Sequence, residues 1–581
     1  MKNIFYIVID AFCYNNLTRK IGEEYTTPFL RELSEKSVFA TNMYSQAPYT
    51  EASLVALLSG ENILENGGYL FGNKFVKKTV FEDFSKAGYE IISQYSPYIY
   101  SKAYLKDIDS FFYTRLVSIR VVFDYRLAYY KVKYDERKIK SEEEIICIKI
   151  LKEEFDTWIQ QAELLLIGDK SCYLIQNWIE EKNVREVLEG LVKEKKKFEN
   201  NEFKYLHKLF ENFDNNELLE LNKIYNKKSA VINSDILYNE YQKKFEEIQK
   251  MYSSIIYKDV PDCRYLFSVL KNNINGYKDF KGLLRNYKAY YTNKFVSGYL
   301  KSIDNNTQTE VCMKKQFDYI IKCVNESNLK GIPALAYLQV QDFHLPTAIH
   351  SSDYNDLKYI ESELDEAISL CGKIDKNYKG NLIADLGARY CDNKLKEFFY
   401  KLKDNFGDNF KLIITADHGY PSYYNPPRSV IYNQTFVEAF HIPFILYDGE
   451  NNCRIDEITS TMDHFEIIKN TKFFKGSRKY ILSEYGGPGC PNIGDKPVWY
   501  TYIDQDFRVS AELLLSENMG YDKLKGVYRI NIDKYEKNNL VKKAKKINEI
   551  NDIMNIIDRR NKELREKYDG DKFLNYCNNK K

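Results

Sequence analysis

The chain has 581 residues, 44% of them hydrophobic, and its 85 Lys+Arg against 83 Asp+Glu leave a formal net charge of +2. That balance excludes a strongly basic nucleic-acid binder as the main theme, and the apolar content excludes wholesale disorder. At roughly 150 residues per domain the length allows about four units, or fewer if one core carries a long insertion.

The first stretch alternates short apolar runs with helical patterns. Residues 3–9 read as a buried strand: the run stops at the charged Asp10 and has no small-residue cleavage site, so a secretory signal is not expected. A helix is predicted over about 28–36, another after Thr50, and a strand over 89–94, the rhythm of a largely parallel sheet with crossover helices. From about 121 to 329 the chain turns Lys-, Glu-, Tyr- and Asn-rich with helical spacing, and stretches such as 145–151 and 187–192 predict amphipathic helices. Strand signals return at 333–340, 410–415 and 441–447. The tail has strand-like pieces at 479–483, 499–503 and 526–532 and closes with a charged helix over about 538–567.

The expected organisation is an α/β core in two parts, 1–120 and 330–474. A helical insertion, 121–329, splits it, and a small C-terminal α+β subdomain, 475–581, follows. No apolar run reaches the about 18 residues that predict a transmembrane helix. The eleven Cys are scattered without CxxC pairs, which argues against a disulfide framework or zinc finger and points to a reducing, cytoplasmic setting.

In open α/β sheets ligands bind beyond the carboxyl ends of the strands. Asp10 follows the first strand, Asp342 and His344 the strand at 333–340, and Asp417-His418-Gly419 the strand at 410–415. Each alone is most simply a turn residue. Thr50 opens a helix whose Leu54, Leu57 and Leu58 form one apolar face. Its commonest job there is to cap the helix. The other reading is a nucleophile at a helix terminus whose free N–H groups stabilise an anion.

In order along the chain, these stretches resemble the sulfatase-like family of the alkaline phosphatase superfamily. Ile7-Val8-Ile9-Asp10 is similar to the family's first strand and metal-binding acid, and Thr27-Pro28-Phe29-Leu30-Arg31-Glu32-Leu33 to its TPNLDRL helix. The stretch from Val38 to Ser45 looks like VFTNAYS, Thr50 to Gly60 like the nucleophile helix, and Ala87-Gly88-Tyr89 like the AGY strand. Asp342-Phe343-His344-Leu345-Pro346 resembles DPHxP, Thr415-Ala416-Asp417-His418-Gly419 resembles TSDHG, and Glu438 to Pro443 resembles ExxHVP. The tail from Gly526 to Leu540 is similar to the family's ending. The resemblance covers about 1–118 and 330–567 and implies an alkaline-phosphatase-like fold, a central mostly parallel sheet flanked by helices.

The departures narrow the chemistry. Sulfatases carry C-x-P-x-R, whose Cys becomes formylglycine; here those positions hold Thr50, Ala52 and Leu54, and Asp10 is followed by Ala11 instead of a second Asp. The set looks like that of the Thr-nucleophile phosphoglycerol and phosphoethanolamine transferases. The resemblance implies one divalent metal ion held by Asp10, Thr50, Asp417 and His418. Mixed carboxylate and imidazole donors favour Mn²⁺ or Zn²⁺, with Mg²⁺ or Ca²⁺ also open. It implies Thr50 as covalent nucleophile and His344 as a catalytic acid or phosphate-oxygen ligand. His344, Asp342 and His441 are the expected substrate-binding residues, although a satisfied core histidine weighs equally for His441. A second metal is not expected, because the Asp342–His344 spacing departs from the D-x-x-x-H of two-metal relatives. His207 is expected on a helix surface, His350 in the cleft near His344 or simply on a loop, Asp463 at a helix cap, and Ser483 to Gly489 in a loop near the cleft or, equally, a plain turn.

The expected function is a metal-dependent phosphoester hydrolase or phosphotransferase acting on a small-molecule or glycan phosphoester. The alternatives are a sulfuric ester hydrolase without formylglycine and a non-catalytic scaffold with a relic site.

Overall fold

The computed structural model describes residues 1–66, 78–95, 107–113, 139–166, 181–211, 313–343, 382–420, 436–469, 478–486, 497–533 and 536–568, with a few single residues and short pieces besides. Its centre is a nine-stranded sheet. In chain order the strands are β1 (Asn3–Ile9), the hairpin pair β2 (Lys20–Ile21) and β3 (Glu24–Tyr25), β4 (Val38–Tyr44), β5 (Glu90–Tyr95), β6 (Ser110–Tyr113), β7 (Ala334–Val340), β8 (Phe410–Thr415), β9 (His441–Tyr447), β10 (Cys453–Ile455) and β11 (Thr459–Ser460). The sheet runs β10-β4-β9-β8-β1-β7-β5-β6, with β11 also on β4 and the β2–β3 hairpin apart. Only β9 runs against its neighbours; the other ladders of this sheet are parallel.

Parallel sheets bury both faces, so their strands read as unbroken apolar runs. β1 (NIFYIVI) and β7 (ALAYLQV) are buried at every position. Successive side chains point to opposite faces. Phe5 meets Phe398 and Phe406 on one side, while Tyr6 meets Tyr337, His464 and Phe465 on the other. The first face is covered by helices α1 (Pro28–Glu35), α7 (Met313–Leu329) and α8 (Leu382–Phe406), with Phe317 stacked on Phe398 at 4.1 Å. The second carries α2 (Thr50–Ser59), α3 (Val80–Lys86) and α10 (His464–Lys469). A one-turn α9 (Val437–Phe440) leads into β9.

α2 is buried along nearly its whole length, from Thr50 to Leu58, which explains an apolar helix with little amphipathic contrast. It ends at Gly60, whose left-handed backbone (φ 73°) donates its N–H to the Ala56 carbonyl. α4 (Ser141–Leu166), α5 (Glu181–Asn200) and α6 (Glu202–Glu211) pack on one another through Phe155, Phe198 and Tyr205. α7 falls in the stretch read from sequence as insertion, but it packs on β5, β7 and α8 of the core. Asp342 accounts for this, since both its carboxylate oxygens accept from the Met313 N–H at the start of α7 (3.1 Å).

A second, antiparallel sheet follows: β12 (Ile481–Gly486), β13 (Val498–Ile503), β14 (Phe507–Leu513) and β15 (Leu524–Arg529), closed by α11 (Asn548–Lys567). β14 (FRVSAEL) was not anticipated, although its sequence alternates apolar and polar residues strictly; in the fold the polar Arg508 and Ser510 are buried along with Val509 and Ala511. Residues 483–486, expected in a loop, are the end of β12, and 487–489 lie outside the described residues. The fold is thus the expected one: a mostly parallel sheet flanked by helices, with a separate antiparallel sheet towards the C-terminus.

Candidate active site

β1 pairs in parallel with both β7 and β8, so their carboxyl ends lie side by side at the middle of the sheet. Asp10 leaves β1 with its N–H still bonded to the Val340 carbonyl (2.9 Å). Ala11 then adopts a left-handed backbone (φ 62°), uncommon for a residue with a Cβ. Its N–H donates to Asp417 Oδ1 at 3.1 Å, and the His418 N–H donates to the same oxygen at 2.8 Å. The chain must pass close behind: a Cβ at Gly419 would lie 1.9 Å from the Glu438 carbonyl oxygen and 2.9 Å from Cys13 Cβ. The glycine of the DHG triplet is therefore a packing requirement.

Thr50 arrives from α2. Tyr49 precedes the helix in extended backbone (φ −154°, ψ 154°) and makes no side-chain cap, so Thr50 is the first helical residue and not its cap. Its Oγ1 lies 3.3 Å from Asp10 Oδ2 and 3.3 Å from His418 Nε2. His418 Nδ1 sits 2.8 Å from the Gly419 carbonyl oxygen. A carbonyl only accepts, so Nδ1 carries the hydrogen and the neutral ring presents a lone pair at Nε2. That nitrogen faces Asp10 Oδ1 at 3.7 Å and Asp417 Oδ2 at 3.8 Å.

The electrostatics call for a positive charge. Burial, then the neighbouring Asp10, hold the Asp417 carboxyl above the usual range. Burial opposes ionisation of His418, but Asp417 and Asp10 outweigh it and raise the imidazole's pKa. Asp10 Oδ1 is buried and has no hydrogen-bond partner among the described residues. One ligand atom each from Asp10, Asp417 and His418 lie within 4.8 Å of one another. A divalent cation fits this donor set: two carboxylates, one of them with an orphaned oxygen, and an imidazole lone pair in a buried site.

Asp10, Thr50, Asp417 and His418 thus converge. His344 and His350 lie outside the described residues. Asp342 does not join the group, because its carboxylate is held by Met313 N–H and by the Tyr390 hydroxyl (3.4 Å). Nor does His441: Nε2 donates to the Thr41 carbonyl (2.7 Å), and the ring stacks on Tyr14 and Tyr44 at 4.2 and 4.9 Å. Burial pushes its pKa down to about 4, the mark of a satisfied neutral histidine. His207 on α6 pairs with Glu144 of α4, and Asp463 completes a capping box with Ser460, as expected.

Two contributors were missed from the sequence. Gln339, fully buried in β7, donates from Nε2 to Asp10 Oδ2 and to Asp417 Oδ2, both at 3.2 Å. Gln341, just past β7, donates to Asp10 Oδ2 at 2.7 Å. A glutamine inside an otherwise apolar strand was the available signal.

Residues 2–158 match the family model described as Sulfatase. No curated protein matches the sequence. Three solved structures align with most of the chain. The putative sulfatase yidJ from Bacteroides fragilis has 10% identity, covers 99% of this chain and 97% of its own, and has a TM-score of 0.45. The phosphonate monoester hydrolase SpPMH from Silicibacter pomeroyi has 11% identity, 98% and 96% coverage, and a TM-score of 0.46. The lipoteichoic acid synthase LtaP from Listeria monocytogenes has 11% identity, 98% and 92% coverage, and a TM-score of 0.45. Likenesses this distant say nothing about activity. The match over residues 2–158 finds, in that part of the chain, the family that its motifs resembled: residues 2–158 are similar to the Sulfatase family.

Proposed function

We propose that the protein is a metal-dependent phosphoester hydrolase or phosphotransferase with Thr50 as its covalent nucleophile. The carrying observation is the Thr50 hydroxyl, 3.3 Å from both Asp10 Oδ2 and His418 Nε2 at the start of a helix. Asp10 Oδ1, Asp417 and His418 Nε2 would hold one divalent cation. Such an ion supplies charge that lowers the hydroxyl pKa and offsets the charge of a phosphoryl oxygen. Mn²⁺ or Zn²⁺ suits the donors better than Ca²⁺.

Thr50 is oriented for attack by the carboxylate that accepts its proton. The new bond is Oγ1–P and the broken one is P–O to the leaving alkoxide, which His344 would protonate. The first turn of α2 aims N–H groups without intrahelical partners at the incoming anion. Water or an acceptor alcohol then displaces Thr50 from phosphorus. The absence of the formylglycine Cys and its Arg favours phosphate over sulfate esters. A phosphorylated glycan or its precursor is the substrate class we favour; among the described residues no helix is long and apolar enough to cross a membrane.

Turnover of phosphate mono- and diesters and of aryl sulfates, with Mn²⁺, tests the reading. Thr50→Ala should lose phosphoester turnover by on the order of 10⁴-fold or more, while Thr50→Ser retains part of it. Equal rates for wild type and Thr50→Ala would overturn the nucleophile, and a preference for sulfate would overturn the substrate class.

A further inference from the structure

We propose that Gln339, assisted by Gln341, is a positioning residue that divides the labour between the two oxygens of Asp10. This rests on reading the Asp10 group as a cation site. Two buried carboxylates repel each other strongly where the dielectric is low. The Gln339 amide carries two hydrogens in a planar fork, and its nitrogen lies 3.2 Å from Asp10 Oδ2 and 3.2 Å from Asp417 Oδ2. One neutral group therefore links both acids without adding charge.

The consequence for Asp10 is an asymmetry. Oδ2 receives Gln339, Gln341 at 2.7 Å, and the Thr50 hydroxyl at 3.3 Å, which saturates it with donors. Oδ1 has no hydrogen-bond partner among the described residues and faces His418 Nε2 at 3.7 Å. The amides thus reserve Oδ1 for the cation and leave Oδ2 to accept the nucleophile's proton. Asp417 is oriented as well: the N–H groups of Ala11 and His418 fix its Oδ1, and its Oδ2, which takes the Gln339 amide, faces His418 Nε2 at 3.8 Å.

Mn²⁺ titration of the metal-stripped protein by calorimetry tests this without using turnover. The wild type should take up one Mn²⁺ per chain. Gln339→Met keeps length and burial but removes both donors, and should weaken Mn²⁺ binding by about 10- to 100-fold with the stoichiometry unchanged. If the amides merely competed with the cation for oxygen, their removal would tighten binding; that result, or an unchanged affinity, overturns the proposal. Should Gln339→Met not fold, Gln341→Ala at the partly exposed end of β7 carries the test, with a severalfold weaker Mn²⁺ affinity expected and an unchanged one decisive against. Wild-type protein that binds no divalent cation would sink the metal-dependent reading itself. Binding of one Mn²⁺ with unaltered variants would sink only the role of the glutamines.

Discussion

At the scale of single residues, the site is built from side chains whose ordinary roles are blocked. Thr50 is one position too late to cap α2, so its hydroxyl is turned to Asp10 and His418. Asp417 sits where burial discourages its charge, yet two backbone N–H groups and an amide are aimed at it. The backbone between Asp417 and Glu438 leaves no room for a side chain. Gly419→Ala would place a methyl 1.9 Å from the Glu438 carbonyl oxygen, so the strand end must move. We expect a loss of about 3 kcal/mol, read from the urea midpoint, together with weaker Mn²⁺ binding because His418 moves with it. Wild-type stability in this variant would show that the contact relaxes without cost.

Among the elements, the antiparallel sheet is fastened to the core by polar contacts as well as apolar ones. The Tyr49 hydroxyl donates to the Gly486 carbonyl (2.6 Å), and Ser483 bonds the Gln46 carbonyl, so β12 braces the segment that enters α2. Arg560 on α11 binds both Glu484 and Glu65. The most buried link is Arg508 of β14 with Glu536 at 2.6 Å, whose carboxylate also accepts from the Val437 N–H (3.3 Å) just ahead of β9. Removing one partner of such a pair strands a buried charge, at about 3–5 kcal/mol. Glu536→Gln should therefore lower stability by that order in chemical denaturation, whereas Arg508→Met with Glu536→Leu should lose much less. If the single and double changes cost the same, the pair is not what holds the sheets together.

For the whole molecule, stability should respond to pH from two opposed directions. His464 is buried against Tyr6, and burial pushes its pKa down to about 3 from 6.5. The unfolded chain takes up that proton first, so this contribution is complete above about pH 6.5 and is lost as pH falls towards 3. Near pH 5 it costs about 2 kcal/mol, and His441 acts in the same direction. Asp417 and His418, both raised, act in the opposite sense in the cation-free protein. Their stabilisation is present in acid and is lost as pH climbs past the carboxylate range and then the imidazole range. A cation that binds only the deprotonated ligands reverses this second loss. Melting curves with and without Mn²⁺ should therefore diverge more at about pH 8 than at about pH 5; a constant offset would contradict the linkage.

The sequence by itself determined the strands whose neighbours bury both faces, because β1, β7, β8 and β9 are predominantly apolar runs. It also determined the polar residues that end them, Asp10 and Asp417-His418-Gly419, since a charged group interrupts such a run visibly. Tertiary structure alone decided which polar residues share a site. Asp342 follows its strand as Asp10 does, yet it is spent on the start of α7, while Gln339, hidden within a strand, bridges the two acids. His441 stands beside a family-like motif, but its hydrogen bond and ring contacts are with Thr41, Tyr14 and Tyr44. The physical reason is that periodicity reports burial, a property each residue carries along its own strand. Partnership depends on register between strands far apart in sequence, and that register exists only once the sheet has formed.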